Sequence, residues 1–185
     1  MNKKNSLILS IITMAVLFMV SCSGNQVEET FGEGAACTDG DCENGPGKVK
    51  FAENGEFTGN FNDNVVAGPG VMVWPNGAKF EGEYANNMRN GKGRYKYSNG
   101  DVYEGNFQNN MKNGTGVYTW PDGDIYNGEW KDGKQNGKGV YKWANGVTYS
   151  GDWKDGMIDG AGTLVWPDKT KVEGNFEKNK FVSKK

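Results

Sequence analysis

Histidine is missing from all 185 residues. Its absence removes imidazole metal ligation and the His-dependent nucleophile machinery of serine and cysteine hydrolases. Cysteine is scarce, at three residues, and Leu, Ile and Val are few beyond the first twenty positions. A chain so poor in branched aliphatics does not build an ordinary mixed core. Long apolar runs are lacking too: the longest, "LILSIITMAVLFMV" from Leu7 to Val20, falls short of the roughly 18 to 20 residues of a spanning helix. Basic clusters are also scarce. Leaving out Lys3 and Lys4, the chain's 21 basic residues fall by two against 23 acidic ones, a balance near −4 that argues against nucleic acid and anionic membrane surfaces as partners.

The N-terminus is a different kind of text from the rest. Lys3 and Lys4 followed by the apolar run have the n-region and h-region of a secretory leader, so residues 1–21 read as a signal peptide. In "FMVSCSGN", Cys22 stands at the end of that run between Ser21 and Ser23. This resembles the lipobox of bacterial lipoproteins, with Met19 where that class prefers Leu. The resemblance implies that Cys22 becomes the mature N-terminus, carries diacylglycerol and an amide-linked acyl chain, and anchors the protein to the membrane of the bacterial cell envelope, at the outer membrane or cell surface. Ordinary cleavage around Ser21 and Ser23, leaving Cys22 an incidental thiol, is the alternative. Residues 22–44 then form a linker and a turn that opens "ACTDGDCENGPG" (36–47), where Cys37 and Cys42 flank Thr-Asp-Gly-Asp. In an oxidising compartment these two are expected to form a disulfide; a metal site is the weaker reading.

Glycine, at 29 residues, and aromatic rings dominate the rest of the chain. They recur with a fixed period of 23: units open at Phe57, Phe80, Tyr103, Tyr126 and Tyr149, and a partial sixth opens at Val172. A period in this range marks a stacked array in which each unit touches its neighbours. Residues 57–185 are therefore read as the array, five full units and part of a sixth, with a degenerate half-unit at 45–56. Within a unit the pattern changes side at every residue, as in a strand: Tyr103, Gly105 and Phe107 on one side, Glu104 and Asn106 on the other. "WPNG", "YSNG", "WPDG" and "WANG" place hairpin turns between alternating runs. "WPDK" departs from them and requires Lys169 to take a positive φ. Asn-Asn or Asp-Gly near the eighth position of each unit is expected to begin the longer connection. In-facing glycine next to a ring gives that ring space to lie across the strand.

The motif "YEGNFQNNMKNGTG", with "FEGEYANNMRNGKG", "YNGEWKDGKQNGKG" and "YSGDWKDGMIDGAG", resembles the MORN repeat (membrane occupation and recognition nexus). The resemblance implies an all-β fold, an elongated, twisted single-layer antiparallel sheet of stacked 23-residue β-hairpin repeats with an aromatic face. It says much less about activity; the missing histidine and few cysteines are what argue against an enzyme, and no cofactor is expected. Arrays of this kind serve as protein-binding, dimerising and lipid-proximal scaffolds.

The carboxylates do not form a catalytic pair. Glu81, Glu104 and Glu173 share one repeat position and Glu83, Glu129 and Asp152 another, so the repeat itself accounts for them as an outer face. An EF-hand counted from Asp39 would need Gly and Glu where Asn44 and Lys50 stand; no metal is expected. The aromatic face, roughly 1,000 Å² from strand spacing and length, matches one side of a standard interface. Tyr103, Phe107, Tyr126, Trp130 and Trp143, at the middle of the array, are its candidate binding residues. The expected partner is another protein or a second copy of the chain. A glycan such as peptidoglycan is the alternative, followed by a lipid headgroup. Packing alone would also explain the rings.

Overall fold

The computed structural model describes residues 35–52 and 54–184. The leader and Cys22 lie outside the described residues. Among the described residues there are fourteen strands: β1 (Ala35–Gly40), β2 (Pro46–Phe51), β3 (Gly55–Asn62), β4 (Val65–Val73), β5 (Lys79–Ala85), β6 (Met88–Lys96) and β7 (Val102–Gln108). They continue with β8 (Met111–Thr119), β9 (Ile125–Lys131), β10 (Lys134–Lys142), β11 (Thr148–Lys154), β12 (Met157–Val165), β13 (Lys171–Glu177) and β14 (Lys180–Lys184). They form one open sheet in which strand order follows chain order and every pairing is antiparallel. The meander is the expected one. β1 lies in the stretch read as linker and pairs with β2 in the half-unit at 45–56, and the Cys37–Cys42 bridge, with Cα atoms 6.0 Å apart, lies within this hairpin.

Two kinds of turn alternate, and their lengths reverse the sequence expectation. The Asn-Asn and Asp-Gly pairs are the short ones: Asn86 and Asn87 (φ 51° and 61°) or Asn109 and Asn110 (47° and 68°) alone join their strands. Two successive positive φ values make the type I′ turn that matches strand twist, and Asn tolerates them well. The Trp-Pro-Asn-Gly segments are longer. In the first, only Gly77 is left-handed (φ 83°), its N–H donating to the Trp74 carbonyl at 3.0 Å while the Trp74 N–H donates to Ala78. Proline presets the first corner there, and one left-handed residue closes the loop. Lys169, as expected, takes φ 71° in the glycine's place.

Adjacent repeats are stitched together at the short turns. The Asn110 N–H donates to the Arg89 carbonyl one repeat earlier (3.0 Å), and the Asn110 Oδ1 accepts the Arg89 N–H (2.9 Å). Asn87 with Val66 and Asn179 with Ile158 repeat this pair of bonds.

The core centres on a file of rings on one face, with a second cluster of Val49, Phe57, Phe61 and Val66 near its N-terminal end. Directly opposed glycines cross the sheet in a line through Gly105, Gly116, Gly128 and Gly139, and the first ring of each unit lies over a pair of them. A Cβ on Gly116 would come within 2.6 Å of the Tyr103 ring. A second glycine series does a different job. Gly114 and Gly137 take positive φ (77° and 78°) next to the point where the strand register shifts, so they make a bulge. The bulge frees carbonyls from the ladder. Tyr103, Tyr126 and Tyr149 each donate their hydroxyl to one, on Asn106, Glu129 and Asp152, at 2.9, 2.9 and 3.1 Å. Buried tyrosine tips are thereby satisfied.

Candidate functional site

Position along the 23-residue unit decides how deep each ring sits. The first and fifth residues of the units interlock edge to face across repeats: Phe80 with Phe107 at 5.1 Å, Tyr103 with Trp130 at 5.2 Å, Tyr126 with Trp153 at 5.0 Å. Four of the five rings singled out from sequence belong to this file. Tyr103 and Tyr126 are 0% exposed and Phe107 and Trp130 are 4% exposed, so they present almost no surface to a ligand. The reason is the glycine line: with no side chain beneath them, Tyr103 and Tyr126 sink onto their own strands, and Phe107 and Trp130 close over the first-position rings edge to face. Trp143 alone of the five is half-buried and packs against the outside of the file.

Trp143 belongs to a second row that the sequence reading did not separate from the first. Trp74, Tyr95, Tyr97, Tyr118, Trp120, Tyr141 and Trp143 form an unbroken ladder with centroid steps of 5.2, 4.3, 5.9, 4.5, 5.2 and 4.7 Å. All but Tyr118 are partly exposed. They come from the ends of β4, β6, β8 and β10 and from the long turns after them. Those turns also fix the ladder's polar edge. Asp101 accepts the Tyr118 hydroxyl at 2.5 Å, and Asp124 accepts the Tyr141 hydroxyl at 2.6 Å and the Ala144 N–H at 2.8 Å. Burial, reinforced by these carboxylates, holds both tyrosine hydroxyls above their ordinary pKa.

Two cations lie over rings of the same face. The Arg89 guanidinium is 5.1 Å from the Tyr95 ring centre and 5.7 Å from Phe80 and Phe107, and it is held by the Asn110 carbonyl at 3.0 Å. The Lys112 ammonium is 4.4 Å from Trp130 and 4.6 Å from Tyr118. Burial among these rings pushes its pKa down to about 8, against the opposing pull of Asp101. The signal for this pair was available in the alignment of units, where one column reads Val66, Arg89, Lys112, Gln135, Ile158.

The opposite face is polar. It carries the ion pairs Lys48–Glu56, Arg94–Glu104 and Lys138–Asp152. Glu83 and Glu129, read from sequence as a solvated outer row, accept the N–H groups of Lys92 and Lys138 at the bulges, at 3.3 and 2.9 Å. Two shallow clefts, about 810 and 530 Å³, run along the glycine line on this side and meet at Asn127.

Comparison with known proteins agrees with this geometry. A search of curated proteins finds no match. Among solved structures, the TCP domain of Drosophila melanogaster SAS-4 (dCPAP), in complex with a proline-rich motif of Ana2 (dSTIL), is similar. Its TM-score is 0.50 at 12% identity, with 85% of this chain and 87% of that one covered. This likeness is of fold alone. A mutant TCP10 domain of Danio rerio CPAP shares 15% identity over 71% and 72% of the two chains, at a TM-score of 0.29. The MORN repeat model matches residues 57–79, 80–102, 103–125, 126–148 and 149–171. Five consecutive matches, in the phase set by the first ring of each unit, place this chain in the MORN repeat family.

Proposed function

We propose that this protein is a non-enzymatic binding scaffold, lipid-anchored through Cys22 in the bacterial cell envelope, that takes a protein partner on its half-exposed aromatic ladder. The ladder is the observation that carries this reading. Rings that only packed the sheet together would sink like the first row; six of the seven ladder rings, all but Tyr118, stay partly exposed and aligned over four repeats. Half-exposed Trp and Tyr are the residue types on which interface energy concentrates. At the level of fold, the similar TCP domain holding a proline-rich motif supports peptide capture by such a sheet. The Cys37–Cys42 bridge fits an oxidising compartment, and the basic leader ending at Cys22 fits an exported lipoprotein.

The test is photo-crosslinking from position 143 in intact cells. A protein adduct is expected, together with its loss in Trp120→Ala at an almost unchanged thermal midpoint. Glycan adducts alone, or none, would remove the protein-binding reading. Mass measurement of the membrane-extracted chain is expected to find a diacylglyceryl group on Cys22; a soluble chain starting beyond Ser23 would remove the anchor.

A further inference from the structure

We propose that the open side of the ladder takes a proline-rich segment in the polyproline II conformation, one turn per repeat, with a basic residue of that segment seated at Tyr141 and Asp124. The inference rests on the protein-binding reading and adds the chemistry of the partner.

Spacing is the first observation. Each repeat contributes two strands, so equivalent rungs recur about every 9.6 Å, while three residues of polyproline II advance about 9.3 Å. A segment in that conformation therefore meets equivalent rings at every third residue over the four repeats that supply the ladder. An extended β-strand, with its shorter side-chain period, drifts out of step.

Backbone chemistry is the second. The strands beneath the ladder already give their N–H and C=O groups to the sheet, so a ligand lying across the rings finds no row of main-chain partners there. Polyproline II needs none: its backbone has no internal hydrogen bonds, and its apolar rings stack on aromatic surfaces.

Charge complementarity names the third element. Arg89 stands over Tyr95 and Lys112 over Tyr118. The residue at the equivalent place beside Tyr141 is Gln135, so the third rung lacks the cation its two predecessors have. It is also the rung whose hydroxyl is bonded to Asp124, with Asp122 in the same turn. Among the described residues neither carboxylate is in an ion pair; the ion pairs lie at other positions. An Arg or Lys from the ligand would stack on the outer side of Tyr141 and Trp143 while facing Asp124, supplying from the partner the cation that Gln135 does not.

The test is a titration of the full-length chain in detergent, monitored by tryptophan fluorescence, with synthetic peptides of about twelve residues, long enough for four polyproline turns. The first peptide has Pro at every third position and one central Arg. The second has the same composition with the prolines clustered, and the third has Glu for Arg. Binding of the first at least about tenfold tighter than either of the others is expected, since charge and register each act at a ring-lined site. Trp120→Ala should weaken the first peptide by a similar factor. Asp124→Asn, whose oxygen still accepts the Ala144 N–H and whose amide can donate to the Tyr141 oxygen, should remove the preference for Arg over Glu. Equal binding of all three peptides, or none up to millimolar concentration, would overturn the proposal. A protein partner crosslinked at position 143 that the first peptide does not displace would overturn the polyproline assignment alone. Glycan-only crosslinks would overturn it together with the protein-binding reading.

Discussion

Lys112 shows what one residue can report about this face. Its ammonium is placed against Trp130 and Tyr118, and burial holds its pKa near 8, below the ordinary lysine value of about 10.4. Between these values the unfolded chain binds more protons than the folded one, so stability rises with pH through that window. The upper limit comes from the tyrosines. Tyr149 is pushed up to about 12 by burial, and Tyr103 and Tyr126 are raised as well, so from about pH 9 upward the unfolded chain loses tyrosine protons first and stability falls again. Denaturant unfolding from pH 7 to 11 is therefore expected to show a maximum at about pH 9, where the summed loss from several tyrosines overtakes the single lysine. Lys112→Met should flatten the rising limb, whose height is about 1 kcal/mol once solvent screening of the half-wet side chain is allowed for. An unchanged limb in the variant would place the titration elsewhere.

At the scale of the hairpin, the two glycine series are separable by substitution. A Cβ on Gly128 would lie 2.5 Å from the Tyr126 hydroxyl oxygen, 2.6 Å from the Gly139 Cα and 2.7 Å from the Lys138 carbonyl. Neither backbone atom can move without opening the sheet, so Gly128→Ala should destabilise by about 3 kcal/mol or more. Gly133 sits in a short turn at φ 82° with nothing within 4 Å of a Cβ. Gly133→Ala meets only the left-handed backbone cost, about 1 kcal/mol. Comparing the two denaturation midpoints checks whether ring-over-glycine packing, rather than turn conformation, holds the hairpins together.

Across the whole sheet, each repeat touches only its neighbours, through paired strands, the edge-to-face ring file and the bonds made by residues such as Asn110. Stability in such an array is close to a sum over units and their interfaces. Deleting 103–125 joins Val102 to Tyr126 in the same phase, so the shortened chain should keep its circular dichroism shape and unfold at a lower denaturant concentration. Deleting 103–124 instead should abolish cooperative unfolding, because Ile125 is then one residue too many before Tyr126 and the slipped strand turns its rings to the polar face, breaking the ring file at that point. Persistence of a cooperative transition in the second deletion would refute the phased-repeat account.

Much of this was legible from residues alone. The period of 23, the alternation of sides and the turn residues determined an antiparallel meander, because each is a local signal repeated five times. Lys169 at φ 71° was readable for the same reason: a lysine stands where its sister turns have glycine. Turn length was not readable. Asn-Gly and Asn-Asn both tolerate left-handed backbone, and only the pairing of the flanking strands decides which segment closes in two residues. The binding face was half legible. Sequence puts Tyr103, Trp130 and Trp143 on one side of the sheet with equal claim. Which of them water can reach depends on the next repeat's ring settling over the glycine line, a contact between residues more than twenty positions apart. The tertiary structure therefore decided that Tyr103 and Trp130 are core and that Trp143, with Trp120 and Tyr141, is surface: depth in a single-layer sheet is set by neighbours that no local pattern contains.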